Sequence, residues 1–211
     1  MTRIKQSLAG AAILALVYQS PVKAQGCPAN MVPKAGGWSE YQTTDGTMRL
    51  AQLGNETRAG KSFVRMELSM TSKDGPVIMQ MLVPGYPYDM TDIQDMVFKA
   101  QGQPAMRLSD QMLGMMRSRM PKDLMAEACR SQQVTRVGEE SVTVPGGSFK
   151  TVHYHDAKSG NDIWISENVP FGMVKSHTSR GDIVLTGTGI DAKSLITETP
   201  REMPGMTMPH N

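Results

Sequence analysis

The sequence predicts an α+β fold, a curved antiparallel sheet interrupted by a helical insert. Three observations predict it. Short runs with strand-like alternation, separated by glycine turns, occupy residues 39–83. Apolar residues at helical spacing fill the stretch from Thr91 to Cys129. Short strand-like runs with glycine turns then return from Gln133 to Gly189. Strands flanking a block of helices argue for α+β, and closely spaced strands argue for an antiparallel meander.

Asp45-Gly46 is a two-residue hairpin signal between Ser39–Thr44 and Thr47–Leu53. Ser62–Met70 alternates, with Val64, Met66, Leu68 and Met70 on one face and Arg65, Glu67 and Ser69 on the other with Phe63. Lys73-Asp74-Gly75-Pro76 turns the chain into Val77–Val83. Thr91-Asp92-Ile93-Gln94 then reads as a capping box, with Ile93, Met96, Val97 and Ala100 following at helical spacing and Pro104 ending the run. Ser109-Asp110 opens a second helix carrying Leu108, Met112, Met115, Met116 and Met120 along one side. Pro121 sits where a first-turn proline belongs and opens a short helix to Cys129. Gln133–Arg136, Glu140–Val144, Ser148–His155, Asp162–Ser166, Gly172–His177 and Asp182–Gly189 read as the closing strands. The sheet is expected to pack its concave side on the helices, burying Ile93, Met96, Val97, Met112, Met116 and Met120. From Pro200 the chain is expected to be an extended, mobile tail.

The first residues address the compartment. Arg3 and Lys5 precede an apolar run, Leu8–Val17, that is too short to span a bilayer, and Val22-Lys23-Ala24 reads as a small-residue cleavage site. Residues 1–24 are therefore expected to be a signal peptide, 25–199 a single domain and 200–211 a flexible methionine-rich tail. No later stretch is long and apolar enough for a transmembrane helix, so an exported chain is expected, with the periplasm as its compartment. The signal takes three of the 22 basic residues and none of the 20 acidic ones, leaving a net charge of −1. With no basic block and no basic–aromatic interleaving, nucleic acid is not an expected partner.

Cys27 and Cys129 are the two cysteines. In an oxidising compartment they are expected to form one bridge, which for so long a loop adds on the order of 4–5 kcal/mol in the chain-entropy account. A lipidated Cys27 is the rival reading, weakened by the poor lipobox Ala24-Gln25-Gly26.

Signal, meander, helical insert and closing strands together resemble the LolA/LolB-like periplasmic fold. Gly147-Ser148-Phe149-Lys150-Thr151, Trp164-Ile165-Ser166 and Val169-Pro170-Phe171-Gly172-Met173-Val174-Lys175 are similar to a recurrent ending in uncharacterised exported proteins of that type. The resemblance covers roughly residues 38–195. It implies a half-barrel whose cavity holds acyl chains or other lipids, so a hydrophobic small molecule or lipid is the implied partner. Met112, Met116, Met120 and Trp164 are the candidate cavity residues, because flexible thioethers suit a loosely specific apolar pocket.

Three constellations carry residue types of functional sites, each with plain scaffold as its alternative. Asp162, Ser166 and His177 have the residue types of a hydrolase triad. Ser166 lies in no G-x-S-x-G, however, and no helix N-terminus adjoins it, so the stretch reads as a strand pair and the chain as no enzyme. His153 and His155 point to one face of a strand, and His177 falls on a neighbouring one. That is a plausible ligand geometry for Zn(II), without a carboxylate or cysteine at matching spacing, and two solvated histidines are the plainer reading. In the tail, Met203, Met206, Met208 and His210 offer three thioethers and an imidazole, a donor set that selects Cu(I) or Ag(I). A periplasmic, non-enzymatic binding module with an apolar cavity is the expected function, and soft-metal binding through the tail is the alternative.

Overall fold

The computed structural model describes residues 33–85, 90–119 and 134–203. One large, curved, unclosed sheet holds nearly all of them. Its strands are β1 (Trp38–Thr43), β2 (Gly46–Arg58), β3 (Lys61–Ser72), β4 (Gly75–Val83), β5 (Asp95–Ala100), β6 (Met106–Arg107), β7 (Val134–Val144), β8 (Gly147–Asp156), β9 (Asn161–Ile165), β10 (Met173–Thr178), β11 (Gly181–Gly189) and β12 (Arg201–Glu202). They lie in the order β12-β6-β5-β4-β3-β2-β1-β11-β10-β9-β8-β7. Every pairing is antiparallel except β12 with β6. Two meanders, β1–β6 and β7–β11, therefore join along β1 and β11.

The hairpins fall where the turn signals stand. Asp45-Gly46 pairs β1 with β2 in the register Thr43↔Gly46, and Ser69, Leu68 and Glu67 of β3 oppose Arg49, Leu50 and Ala51 of β2. Alternation then sorts side chains onto two faces. The inner face carries Met66, Met81, Val83, Met96 and Ile93. The α-helix α1 (Asp110–Arg119) packs here through Leu113, which is 2 % exposed, with Leu108 and Met116 beside it. Ser109 caps α1, its Oγ accepting from the Met112 amide at 3.4 Å. Arg117 of α1 donates from Nε to the Ile93 carbonyl at 2.7 Å and holds the helix against the start of β5. A second apolar cluster, Tyr41, Val169, Val174 and Leu185, lies further along, and Leu50 packs against both.

The expected helix over Ile93–Ala100 is a strand. Only a short 3-10 turn, Met90–Asp92, precedes β5. The apolar spacing was ambiguous because both faces of β5 are covered, so no polar alternation marks it. Met96 and Phe98 meet the inner core, while Val97 lies on the outer face under Ile196. Asp95–Ala100 gains a complete ladder with β4, Met81 opposite Met96 and Met79 opposite Phe98. The helical insert is thus reduced, among the described residues, to α1. Ile93 and Met96 are buried on the inner face as expected, but Met112 and Met116 are only half-buried. Met120 and the short helix proposed from Pro121 to Cys129 lie outside the described residues, as do the signal peptide, Cys27 and Cys129.

Two further expectations need correction. Gly138-Glu139 is not a turn between strands: β7 runs unbroken to Val144, with a bulge between Arg136 and Gly138. The chain beyond Gly189 is not free at Pro200. Residues 191–203 form a strap across the outer face and end in the sheet, where Arg201 donates from its amide to Ala105 O and Met203 to Arg107 O, both at 2.8 Å.

The strap also changes the reading of Glu67, which alternation had placed toward solvent. Its side chain is fully buried. It accepts from Gln80 Nε2 at 2.9 Å, from Ser194 Oγ at 3.2 Å and from the Leu195 amide at 3.0 Å, with Arg49 Nη1 3.4 Å away. Lys99 and the Ala105 amide both meet Glu198 of the strap. Ile196 closes a small apolar cluster with Val97 and Ala105.

Candidate functional site

The Asn161–His177 stretch is β9, a tight connection and β10. Ser166 donates its amide to Gly172 O at 2.7 Å, and Gly172 donates back to Val169 O at 2.8 Å. Two residues peg the connection: Val169 enters the second core cluster, and Phe171 enters the first, across the inner face. Beside this fixed loop, the β7–β8 hairpin overhangs the end of β9. Its tip packs Val142, Val144 and Phe149 against Val174 and Leu185, and the Gly146 amide donates to Leu185 O at 3.0 Å.

Between hairpin, β9 and loop lies a cleft of about 550 Å³. Val152, Ile165 and Val169 form apolar wall; Glu139, Lys150 and Asn168 stand among its polar lining. Its volume falls in the usual range for small-molecule sites, while its lining is more polar than most. A second hollow of about 570 Å³ lies on the outer face beside the strap, lined by Trp38, Arg49, Thr71 and Asp191 among others.

The expected cavity residues are not brought together. Met116 lies on the inner face with α1. Trp164 stands on the outer face, stacked on His153 with ring centroids 4.5 Å apart and Lys175 Nζ 5.3 Å from its centroid. Its indole Nε1 donates to Glu140 Oε1 at 2.6 Å. The space between α1 and the sheet is taken up by the chain's own Leu113, Met81 and Met96.

The triad types also stay apart. His177 bonds Asp182 Oδ1 at 2.5 Å, and Ser166 lies at the far end of β9 from Asp162, where its Oγ accepts from the Asn168 amide. What the structure does bring together is a row. His155 is in register with Asp162, Asp162 with His177, and His177 with Asp182, across four adjacent strands. His153 Nε2 and His155 Nδ1 both lie against Asp162 Oδ1, at 2.8 and 2.9 Å. Bonding to His153 first, then His155, holds the Asp162 carboxyl below the ordinary aspartate range, and the His177 bond does the same for Asp182. The carboxylate missing at any local spacing is thus supplied by the next strand. The signal was present: a β8–β9 hairpin closed at Ser159-Gly160 fixes the pairing of His155 with Asp162. Among the described residues, no three or more His, Cys, Asp and Glu side chains stand arranged to hold a metal ion.

Met203 is fixed beside β6 and half-buried. Met206, Met208 and His210 lie outside the described residues. No helix among the described residues is long and apolar enough to cross a membrane.

No protein-family model matches the chain, and no curated protein matches it. Two solved structures resemble it at a distance. One is a protein assigned as a lipoprotein from Parabacteroides distasonis, 13 % identical, covering 78 % of this chain and 100 % of its own, with a TM-score of 0.36. The other is assigned as an exported protein with a YmcC-like fold from Bacteroides fragilis, 9 % identical, covering 75 % and 97 %, also with a TM-score of 0.36. Neither is described as LolA- or LolB-like, and at these scores neither likeness assigns a fold or a function. Of the expected half-barrel architecture, the curved, unclosed sheet is present.

Proposed function

We propose that the chain is an exported, non-enzymatic binding module. Its ligand site in this reading is the cleft between the β7–β8 hairpin and the β9–β10 loop. The observation that carries the reading is the cleft's position: Val152 and Ile165 line it within a mostly polar set of side chains, beside a loop pegged into two core clusters. In this reading Val152 and Ile165 meet the apolar part of an amphipathic molecule, and the polar lining, Lys150 and Asn168 with Glu139, Glu140 and Glu167, meets its head group. Export rests on the residue 1–24 signal pattern.

Displacement of a fluorescent fatty acid, with native mass spectrometry of the purified mature protein, tests the proposal. Binding is expected for the wild type and strong loss for Ile165→Glu, which places a charge on the wall, and for Val152→Trp, which fills the space. Both variants should keep the wild-type circular dichroism. Failure of the wild type to bind, or equal binding by folded variants, would overturn the reading.

A further inference from the structure

We propose that the outer-face hollow beside the strap binds a small zwitterion of amino-acid type. This site is separate from the β7–β8 cleft and does not depend on it. Strand register builds it. Glu40 of β1 is directly opposite Arg49 of β2, and Arg49 is directly opposite Ser69 of β3, so the three form one row on the outer face. Directly opposed residues have Cβ atoms about 5 Å apart, close enough for opposite charges to pair. Here the charges turn apart. Arg49 is drawn to Glu67 Oε1, 3.4 Å away, and over the Trp38 ring, 5.4 Å from its centroid. Glu40 is left without an ion-pair partner among the described residues.

Both charges line the hollow of about 570 Å³. Trp38 fixes the cation. Its indole donates from Nε1 to Asp191 Oδ1 at 2.8 Å and lies against Gly187 and Gly189, where a Cβ would stand 3.2 and 2.6 Å from ring atoms. A guanidinium stacked on an aromatic ring keeps its N–H edge for a planar oxyanion, and a carboxylate matches that edge. Glu40 is acceptor-only and calls for a donor, which an ammonium supplies. A plain anion would add to the charge on Glu40, and a plain cation to that on Arg49. A molecule carrying both charges answers both. Lys193 of the strap and the Ser69 hydroxyl add donors for the carboxylate, and the exposed Leu195 offers apolar contact to an aliphatic side chain. Because Lys193 and Leu195 belong to the strap, a bound ligand ties the strap to the sheet.

Calorimetric titration of the full mature protein with L-leucine, leucinamide and isocaproate tests this. Leucinamide lacks the carboxylate and isocaproate lacks the ammonium. L-leucine should bind saturably, and each analogue at least about tenfold more weakly, as loss of a charged hydrogen bond does. Glu40→Gln should weaken L-leucine by a similar factor; the side chain has no ion pair to lose, so the fold should survive, as a melting curve will show. Thr47→Trp, which fills the hollow from an exposed position on β2, should abolish binding. Ile165→Glu, in the other cleft, should leave it unchanged. Hydrogen exchange supplies the local readout: L-leucine should raise protection of the Ser194, Leu195 and Ile196 amides. No saturable binding of L-leucine by the wild type, equal affinity for isocaproate, unaltered affinity in folded Glu40→Gln, loss of binding in folded Ile165→Glu, or binding without added strap protection would each overturn the site.

Discussion

Glu67→Ala should release the strap. In the wild type the buried carboxylate accepts from Gln80, Ser194 and the Leu195 amide, and lies beside Arg49. Truncation removes every acceptor at once and leaves Gln80 Nε2 and a strap amide without it. Removing one partner of a buried charged network costs roughly 3–5 kcal/mol. Arg49 keeps partial solvent contact, so the lower end applies, about 3 kcal/mol. For a domain of this size that corresponds to a fall in Tm of roughly 6–12 °C. Glu67→Gln retains the shape and one acceptor but sets an amide NH2 against that of Gln80, so a smaller loss of about 1–2 kcal/mol is expected. Hydrogen exchange supplies the local readout: the Ser194, Leu195 and Ile196 amides should lose protection before those of β3 and β4. A Tm within about 2 °C of wild type in Glu67→Ala would refute the reasoning, as would exchange lost uniformly across the sheet.

Leu113→Ala should cost about 2–5 kcal/mol as a cavity in the inner core, whereas Met112→Ala, half-buried on the same helix, should cost less; chemical denaturation of the two decides the order. Gly146→Ala should destabilise by roughly 1–3 kcal/mol, since its Cβ would stand 3.1 Å from both Leu185 Cγ and Leu185 O, and Gly147→Ala does not substitute for it as a test because Gly147 has a positive φ; a Gly146→Ala melting curve matching wild type would remove the hairpin contact from the account. The Asp162 carboxyl is held low by its histidine bonds, so it favours the fold above the unfolded aspartate pKa, and that contribution disappears as pH falls through the folded value. Asp162→Asn should accordingly be less stable than wild type near pH 6, with the difference closing as pH falls through the folded value of Asp162; a pH-independent difference would contradict this.

The tight turns were legible because they are local. Asp45-Gly46, Pro145-Gly146-Gly147 and Ser159-Gly160 constrain the backbone through their own residues, and each lies in or beside an observed hairpin connection. The two-faced alternation of β3 was legible for the same reason, as was the start of α1 at Ser109-Asp110. β5 was misread because its outer face is covered by residues about a hundred positions away, so the polar half of the alternation is absent. The site followed the same division. His153 and His155 were visible as a same-face pair, but Asp162 enters only through pairing, and Trp164 and Met116 were assigned to one cavity although the sheet separates them.

The strand-rich meanders, their turns, the capped helix and the polarity of most faces are written locally, since each depends on neighbours a few residues apart. What covers each face is settled by contacts between distant segments. The strap buries Glu67, which alternation assigns to water, and covers Val97 on the same outer face, while Phe171 crosses the inner face to join the cluster beneath α1. Burial is a property of contacts between distant segments, and periodicity records only that a face can be covered, not by what.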